Sequence, residues 1–395
     1  MKYMNTQNTP VHIRLWHRDF WLMAFANLLL TLGVYILIPV LPVWLLEDEN
    51  LSLQETGLAM GVFGLGLWLL GCFTSFLVQH YRRNMACIFA ILMLAASLGL
   101  LYYLDSQQAQ FAGFTVILLQ RLAMGAAFGV AQMILSSTLI IDTCESFQRT
   151  EANHSAAWFS RFALSIGPMA GIILMRCFDF QTVVLTAIGC TLVPVLLILM
   201  IHFPFRAPED DIQTFSLDRF FLPQGWPLLL NLVVITTVVG MLMTLTLSEQ
   251  FYAMMMAGFL LALLAQRFVF RDAELKSEVV TGLVLIGSAL LMMLTRKQTI
   301  VLFAAPMFIG LGLGIIGSRF LLFFIKLSRH CQRGTSQSTF MLGFESGLAL
   351  GLCLGYACLE ARQEMILQTA LVVTVAALLL YNFFTHRWFL CHKNR

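Results

Sequence analysis

The chain has 395 residues, of which 59% are hydrophobic and 11% charged, and its formal net charge is +3. So apolar a composition excludes a soluble globular protein. The small positive charge is better explained by membrane topology than by a nucleic-acid partner.

A membrane span needs roughly 20 apolar residues, and twelve candidates follow one another. They lie at about 20–45, 54–78, 85–104, 111–140, 155–178, 181–203, 227–247, 250–270, 279–295, 299–327, 338–359 and 366–385. The expectation is an all-α polytopic membrane protein. The first ten residues are polar and Phe20 begins a full-length span, so no cleavable leader is expected. Segment 11–19 mixes basic and apolar residues, as an interfacial segment does. Of the 24 Lys and Arg, Arg121, Arg161 and Arg319 fall inside spans, and Arg176, Arg296, Lys297 and Arg362 fall on one side. The seventeen others share the opposite side, which the positive-inside rule makes cytoplasmic together with both termini.

The second half repeats the first. Asn27 corresponds to Asn231, Gln79 to Gln266, Gly125 and Gly129 to Gly310 and Gly314, and Arg149 to Arg333. The longest polar interval lies between the sixth and seventh spans. The expected organisation is therefore a six-helix half at 1–203, a cytoplasmic linker at 204–226 and a second half at 227–395, as in transporters with parallel repeats. The tract Glu209-Asp210-Asp211 reads as solvated linker. Twelve residues beyond Arg149 stands Arg161, and twelve beyond Arg333 stands Glu345. The repeat thus breaks by placing opposite charges at equivalent depths.

Arg121, Arg161, Arg319 and Glu345 are the charges expected inside the bilayer. Each costs roughly 2.5–3.5 kcal/mol at a helix centre on insertion scales, so each should face a cavity or a partner. Glu345, read as the only acid in the membrane core, is either a proton-titrating or substrate-binding carboxylate or a static ion-pair partner of Arg161 or Arg319. Three cations against one anion favour an anionic ligand group, unless Arg161 or Arg319 snorkels to the interface. Asn27, Tyr35, Gln120, Gln132, Ser136 and Asn231 are the neutral candidates for a cavity lining; interhelical hydrogen bonding explains them equally well.

Glycines at 310, 312 and 314 lack the Lys-Ser/Thr of a phosphate loop and read as helix packing. So do Gly347, Gly351 and Gly355, and Gly167 and Gly171. The nine cysteines include no CxxC pair, so neither a metal site nor a disulfide framework is expected. No HExxH, GxSxG or intramembrane aspartate pair is present, and neither an enzyme nor a cofactor is expected.

Three segments carry a family resemblance. Arg121 to Gly125 and Gly129 resemble the RxxxG motif of the fourth helix of the major facilitator superfamily, followed at the family's spacing by Asp142 and Arg149. Gly167-Pro168 to Gly171 resemble the GPxxG core of the fifth-helix antiporter motif, with Ala163 and Ile172 where glycines are common. The loop usually reading DxxGRR is here Gln79-His80-Tyr81-Arg82-Arg83-Asn84, so the latch aspartate is absent, and Asp142 is expected to pair with Arg82 or Arg83 instead. The resemblance implies two pseudo-symmetric six-helix bundles in a bacterial inner membrane, alternating access and proton-coupled antiport exporting small amphipathic compounds. Glu345 would titrate, with Arg161 as its competing cation. The protein is expected to act as a monomer. The alternatives are an uptake carrier or exchanger for an organic anion held by arginines, and a non-transporting sensor or scaffold.

Overall fold

The computed structural model describes residues 14–106, 113–203, 213–270, 274–296 and 298–393. The acidic tract at 209–211 and residues 11–13 lie outside them, as do Lys2, Arg206, Arg271, Lys297 and Arg395. All regular structure among the described residues is helical.

Among the described residues, eleven helices are long and apolar enough to cross a membrane. With the first helix before them they give α1 Arg18–Tyr35, α2 Leu53–His80, α3 Arg83–Ser106, α4 Phe114–Asp142, α5 Arg149–Cys177 and α6 Phe180–Leu199. The second set is α7 Pro223–Leu242, α8 Glu249–Phe268, α9 Leu275–Thr295, α10 Thr299–Leu327, α11 Arg333–Ala357 and α12 Gln363–His392. Large side chains such as Phe89 and Val372 are two-thirds exposed on outward faces, where lipid tails replace water.

The first expected span is not one continuous helix. It ends at Tyr35, turns through 36–40 and resumes as a short helix, Leu41–Glu47. Pro39 lies four residues beyond Tyr35, so its ring would clash with the Tyr35 carbonyl and it has no N–H to give. That carbonyl instead accepts from the Ile38 amide at 3.1 Å.

Polar caps fix the helix ends away from the arginine-rich side. Ser52 and Glu55 form a capping box at the start of α2. Asp179 caps α6 by accepting from the Thr182 amide at 2.9 Å and the Thr182 hydroxyl at 2.6 Å. Those two bonds, the hydroxyl's first, hold the Asp179 carboxyl below the ordinary carboxylate range.

Helix packing follows the repeat. α1 packs on α5 and α6, and α7 on α11 and α12; α2 packs on α4, and α8 on α10. The sets join where α2 meets α11 and α5 meets α8. These approaches are close because glycine stands at the crossings. A Cβ on Gly125 would lie 2.2 Å from the Phe63 carbonyl oxygen, and one on Gly310 would lie 2.1 Å from that of Met255. The duplicated glycines therefore mark equivalent crossings of α2 with α4 and α8 with α10.

Residues 213–222, expected as linker, are packed in place. The Arg219 and Leu222 amides donate to the Thr335 and Thr339 hydroxyls of α11, each at 2.8 Å. The Ser216 amide donates to the Cys72 carbonyl of α2 at 3.1 Å, and the Phe220 ring fills the notch left by Gly71.

Candidate functional site

The site is built around Tyr35 and Glu345, which the fold brings together from 310 positions apart in sequence. Gly167 and Gly171 of α5 let the end of α1 come close. A Cβ on Gly167 would meet the Tyr35 Cβ at 2.8 Å, and one on Gly171 the Ile36 carbonyl oxygen at 2.2 Å. Tyr35, at the last turn of α1, is thereby held against α11, and its hydroxyl donates to Glu345 Oε1. Both side chains are buried.

Two small cavities of about 30 Å³ meet this pair. One is lined by Tyr35 and Glu345 with Arg121, Phe63, Met60 and Leu348. The other is lined by Tyr35 and Glu345 with Arg161, Gln132, Ser136, Ser160, Gln337 and Phe340. Each has room for about one water. Larger vestibules lie at the two ends. A vestibule of about 320 Å³ is bounded by Val43, Ile172, Arg176 and Tyr356. Another of about 350 Å³ is bounded by Arg83, Asp142, Arg149, Arg219 and Arg333. Neither vestibule shares a lining residue with an inner cavity.

Arg161 is 3% exposed. Its Nη1 donates to the Ser318 hydroxyl of α10 at 3.1 Å, and its guanidinium carbon lies 4.7 Å from the Trp158 ring centre and 5.8 Å from that of Phe340. Its Nε and Nη2 have no hydrogen-bond partner among the described residues. Ser318 also bonds His154 Nε2 at 3.0 Å and donates to Gln266 Oε1 at 3.2 Å. The expected competition of Arg161 with Glu345 is therefore not a direct ion pair: the two share a cavity without a salt bridge. Arg121 donates to the Ala59 carbonyl at 3.3 Å and stands 5.0 Å from the Phe63 ring centre, again without a carboxylate within 4 Å among the described residues.

Asn27 stands behind this wall, bonded to two of its lining residues. Its Nδ2 donates to the Ala156 carbonyl at 2.9 Å and to the Ser160 hydroxyl at 2.7 Å, while its Oδ1 accepts from Gln132 Nε2 at 2.7 Å. Ser136 lies within, and Gln132 just before, a π-helical turn, Leu135–Leu139, of the kind often found at functional sites.

Three expected lining residues point elsewhere. Gln120 donates to the Ser97 carbonyl at 3.0 Å and ties α4 to α3. Asn231 donates to the Ala377 carbonyl of α12 at 3.2 Å, so the asparagine pair matched in sequence is not matched in direction. Arg319 pairs with Glu278 of α9. Glu278 also corrects the reading of Glu345 as the one acid of the core. The expected ninth span began at 279, but α9 starts at Leu275 and buries the Glu278 side chain completely. Arg319, a cation needing a partner one helix away, was the sequence signal for it.

At the arginine-rich end Asp142 pairs with Arg83, joining the end of α4 to the start of α3. Arg149 and Arg333 line the same vestibule. Gln79 is half-buried at the end of α2, and Arg82 is exposed beside it. Sequence reasoning missed Trp158, Ser160, Ser318 and Gln337, because neutral residues in an apolar helix carry no sign of which way they face.

A family model described as Major Facilitator Superfamily matches residues 23–352. No curated protein matches the chain. Among solved structures, a bacterial homologue of the human lysosomal transporter Spinster, inward-facing and unoccupied, superposes with a TM-score of 0.68 at 14% identity, covering 95% of this chain and 98% of that one. The human organic anion transporter MFSD10 (TETRAN) gives 0.67 at 14%, with 91% and 98% covered. A bacterial homologue of the iron transporter ferroportin, outward-facing, gives 0.65 at 15%, with 94% and 99% covered. At these identities the likeness is one of fold.

Proposed function

Because the chain belongs to the Major Facilitator Superfamily, a multi-pass transporter fold rather than an enzyme, we propose that it carries small amphipathic organic compounds across a bacterial inner membrane, coupled to protons. The first six helices (1–203) and the last six (227–395) rock as units about the central site, with 204–226 between them and both termini in the cytoplasm. The protein works as a monomer.

One observation supports this reading above the rest: Glu345 is buried where two small cavities meet and is bonded across the two halves to Tyr35. A carboxyl group there exchanges its proton only with the side to which the site is open. Its protonation state also alters the bond that joins α1 to α11. Those two properties are what coupling requires. Arg83–Asp142 serves as the closing contact of the arginine-rich end in place of the missing latch aspartate.

The resemblance of Gly167, Pro168 and Gly171 in α5 to the fifth-helix antiporter motif supports antiport, with export as its proposed direction. Arg121 and Arg161, both without carboxylate partners, favour a second reading in which the solute is an organic anion. A bound anion beside two cations is best tolerated with Glu345 protonated, so anion and proton would then travel together. Proteoliposomes bearing a pH gradient separate the two senses: antiport expels solute toward the acidic side, and cotransport accumulates it away from that side. Glu345→Gln should abolish gradient-driven flux in either case while leaving the helical content and detergent-solubilised protein intact. Undiminished flux in that variant would remove Glu345 from the coupling role.

A further inference from the structure

We infer that the inner cavity beside Arg161 is a carboxylate seat, taking the acid group of a small organic acid that also offers a hydrogen-bond donor to Gln132. This rests on the transport reading above and names the substrate class of the same central site.

Arg161 is almost wholly buried, yet only Nη1 has a partner, the Ser318 hydroxyl. Nε and Nη2 have none, and no carboxylate lies within 4 Å among the described residues. Those two N–H groups occupy one edge of the guanidinium, the edge that receives both oxygens of a carboxylate in parallel. The plane is held by the Trp158 and Phe340 rings. Gly317 lets α10 pack beside Nε without a side chain on it: a Cβ there would stand 2.9 Å from Nε. A buried cation with two orphaned donors is costly unless a ligand completes it. Glu345 shares the cavity, but its hydrogen bond is to Tyr35.

The donor requirement follows from a chain of assignments. The Ala156 carbonyl can only accept, so the atom of Asn27 facing it at 2.9 Å is Nδ2. Asn27 Oδ1 therefore accepts, and the atom of Gln132 facing it is Nε2. Gln132 Oε1 is left as a buried acceptor without a partner, on the wall that also bears Arg161. Phe340, Met341, Phe344 and Ala157 complete the lining and suit an apolar body. In this form the cavity holds about one water, so the acid enters when the halves part and uncover the unpaired groups.

The test uses the full-length protein in detergent, with Trp158 fluorescence and thermal unfolding as readouts and Trp158→Phe identifying the signal. The probes are N-acetylphenylalanine, its carboxamide N-acetylphenylalaninamide, and 3-phenylpropionate, which lacks the N–H. The acid should bind saturably, and the carboxamide at least about tenfold more weakly, since it forfeits a charge-assisted pair. 3-Phenylpropionate should bind about fivefold more weakly, the loss of one hydrogen bond. Arg161→Gln and Arg161→Lys should both lose the preference for acid over carboxamide, the lysine keeping charge but not the fork. Gln132→Leu should erase only the preference for the N–H. Equal binding of acid and carboxamide, or wild-type acid affinity in either folded Arg161 variant, overturns the seat. If neither acid binds while proton-driven transport of another compound persists, the seat fails and the transport reading stands. If the acids bind with the stated preferences but no compound shows gradient-driven flux, the seat stands and the transport reading fails.

Discussion

The hydroxyl of Tyr35 donates to Oε1 of Glu345, tying the end of α1 to α11 across the two halves of the molecule. The bond sits where two cavities of about 30 Å³ meet, so it is both a structural tie and part of the partition between them. Removing the hydroxyl in Tyr35→Phe keeps the ring packing and removes a bond worth about 1–2 kcal/mol, so thermal stability should fall by about that amount. Gradient-driven flux should fall roughly tenfold, and the acid limb of its pH profile should move. A Tyr35→Phe variant with a wild-type pH profile would show the bond to be incidental.

Gly171 should be intolerant of even one methyl group. A Cβ there would stand 2.2 Å from the Ile36 carbonyl, a backbone atom that cannot turn aside. Gly171→Ala should cost about 1–3 kcal/mol and reduce transport by shifting Tyr35. Gly99→Ala is the control: nothing lies within 4 Å of its Cβ position. In mid-helix it should be neutral or stabilising by up to about 1 kcal/mol. Thermal unfolding of the two variants side by side checks both.

Arg83 and Asp142 are 13% and 12% exposed and form an ion pair at the arginine-rich end. Asp142→Asn should weaken closure there by about 1–2 kcal/mol. Cys144, two residues on, is a convenient reporter. It is 8% exposed, and burial pushes its thiol above the ordinary range, so it reacts slowly in the closed form. With the other eight cysteines replaced, maleimide should label Cys144 about tenfold faster in Asp142→Asn. Equal rates would mean that the pair does not hold this end closed.

Glu278 and Arg319 should behave as a structural pair. Glu278→Gln leaves Arg319 without its anion and should destabilise the protein by about 3 kcal/mol. The double replacement Glu278→Leu with Arg319→Met should recover most of that stability and keep gradient-driven flux. Loss of flux in the stable double variant would return Arg319 to the transport machinery.

How far the site could be read from sequence differs residue by residue. Glu345 and Arg161 stood out because an ionised group in an apolar run is costly enough to demand an explanation. The end-of-helix pair was foreseeable because Gln79 replaces the usual acid and Asp142 was the acid left nearby. Glu278 escaped because it sits in the first turn of α9, one position outside the apolar count. Gln120, Gln132 and Asn231 were indistinguishable as polar residues in apolar helices. Only packing showed that one faces a cavity while the others staple α4 to α3 and α7 to α12.

The sequence by itself determined the architecture: apolar runs of bilayer length, their duplication, the glycines at helix crossings and the few charges the core contains. These are local or periodic properties, and burying a backbone in lipid leaves helices as the available solution for such runs. Tertiary structure decided direction and partnership. A span that is apolar on every face carries no periodic signal of its rotation. That rotation gives Glu345 to Tyr35 rather than to an arginine, leaves two donors of Arg161 unpaired, and turns Asn231 away from the centre whose wall Asn27 supports.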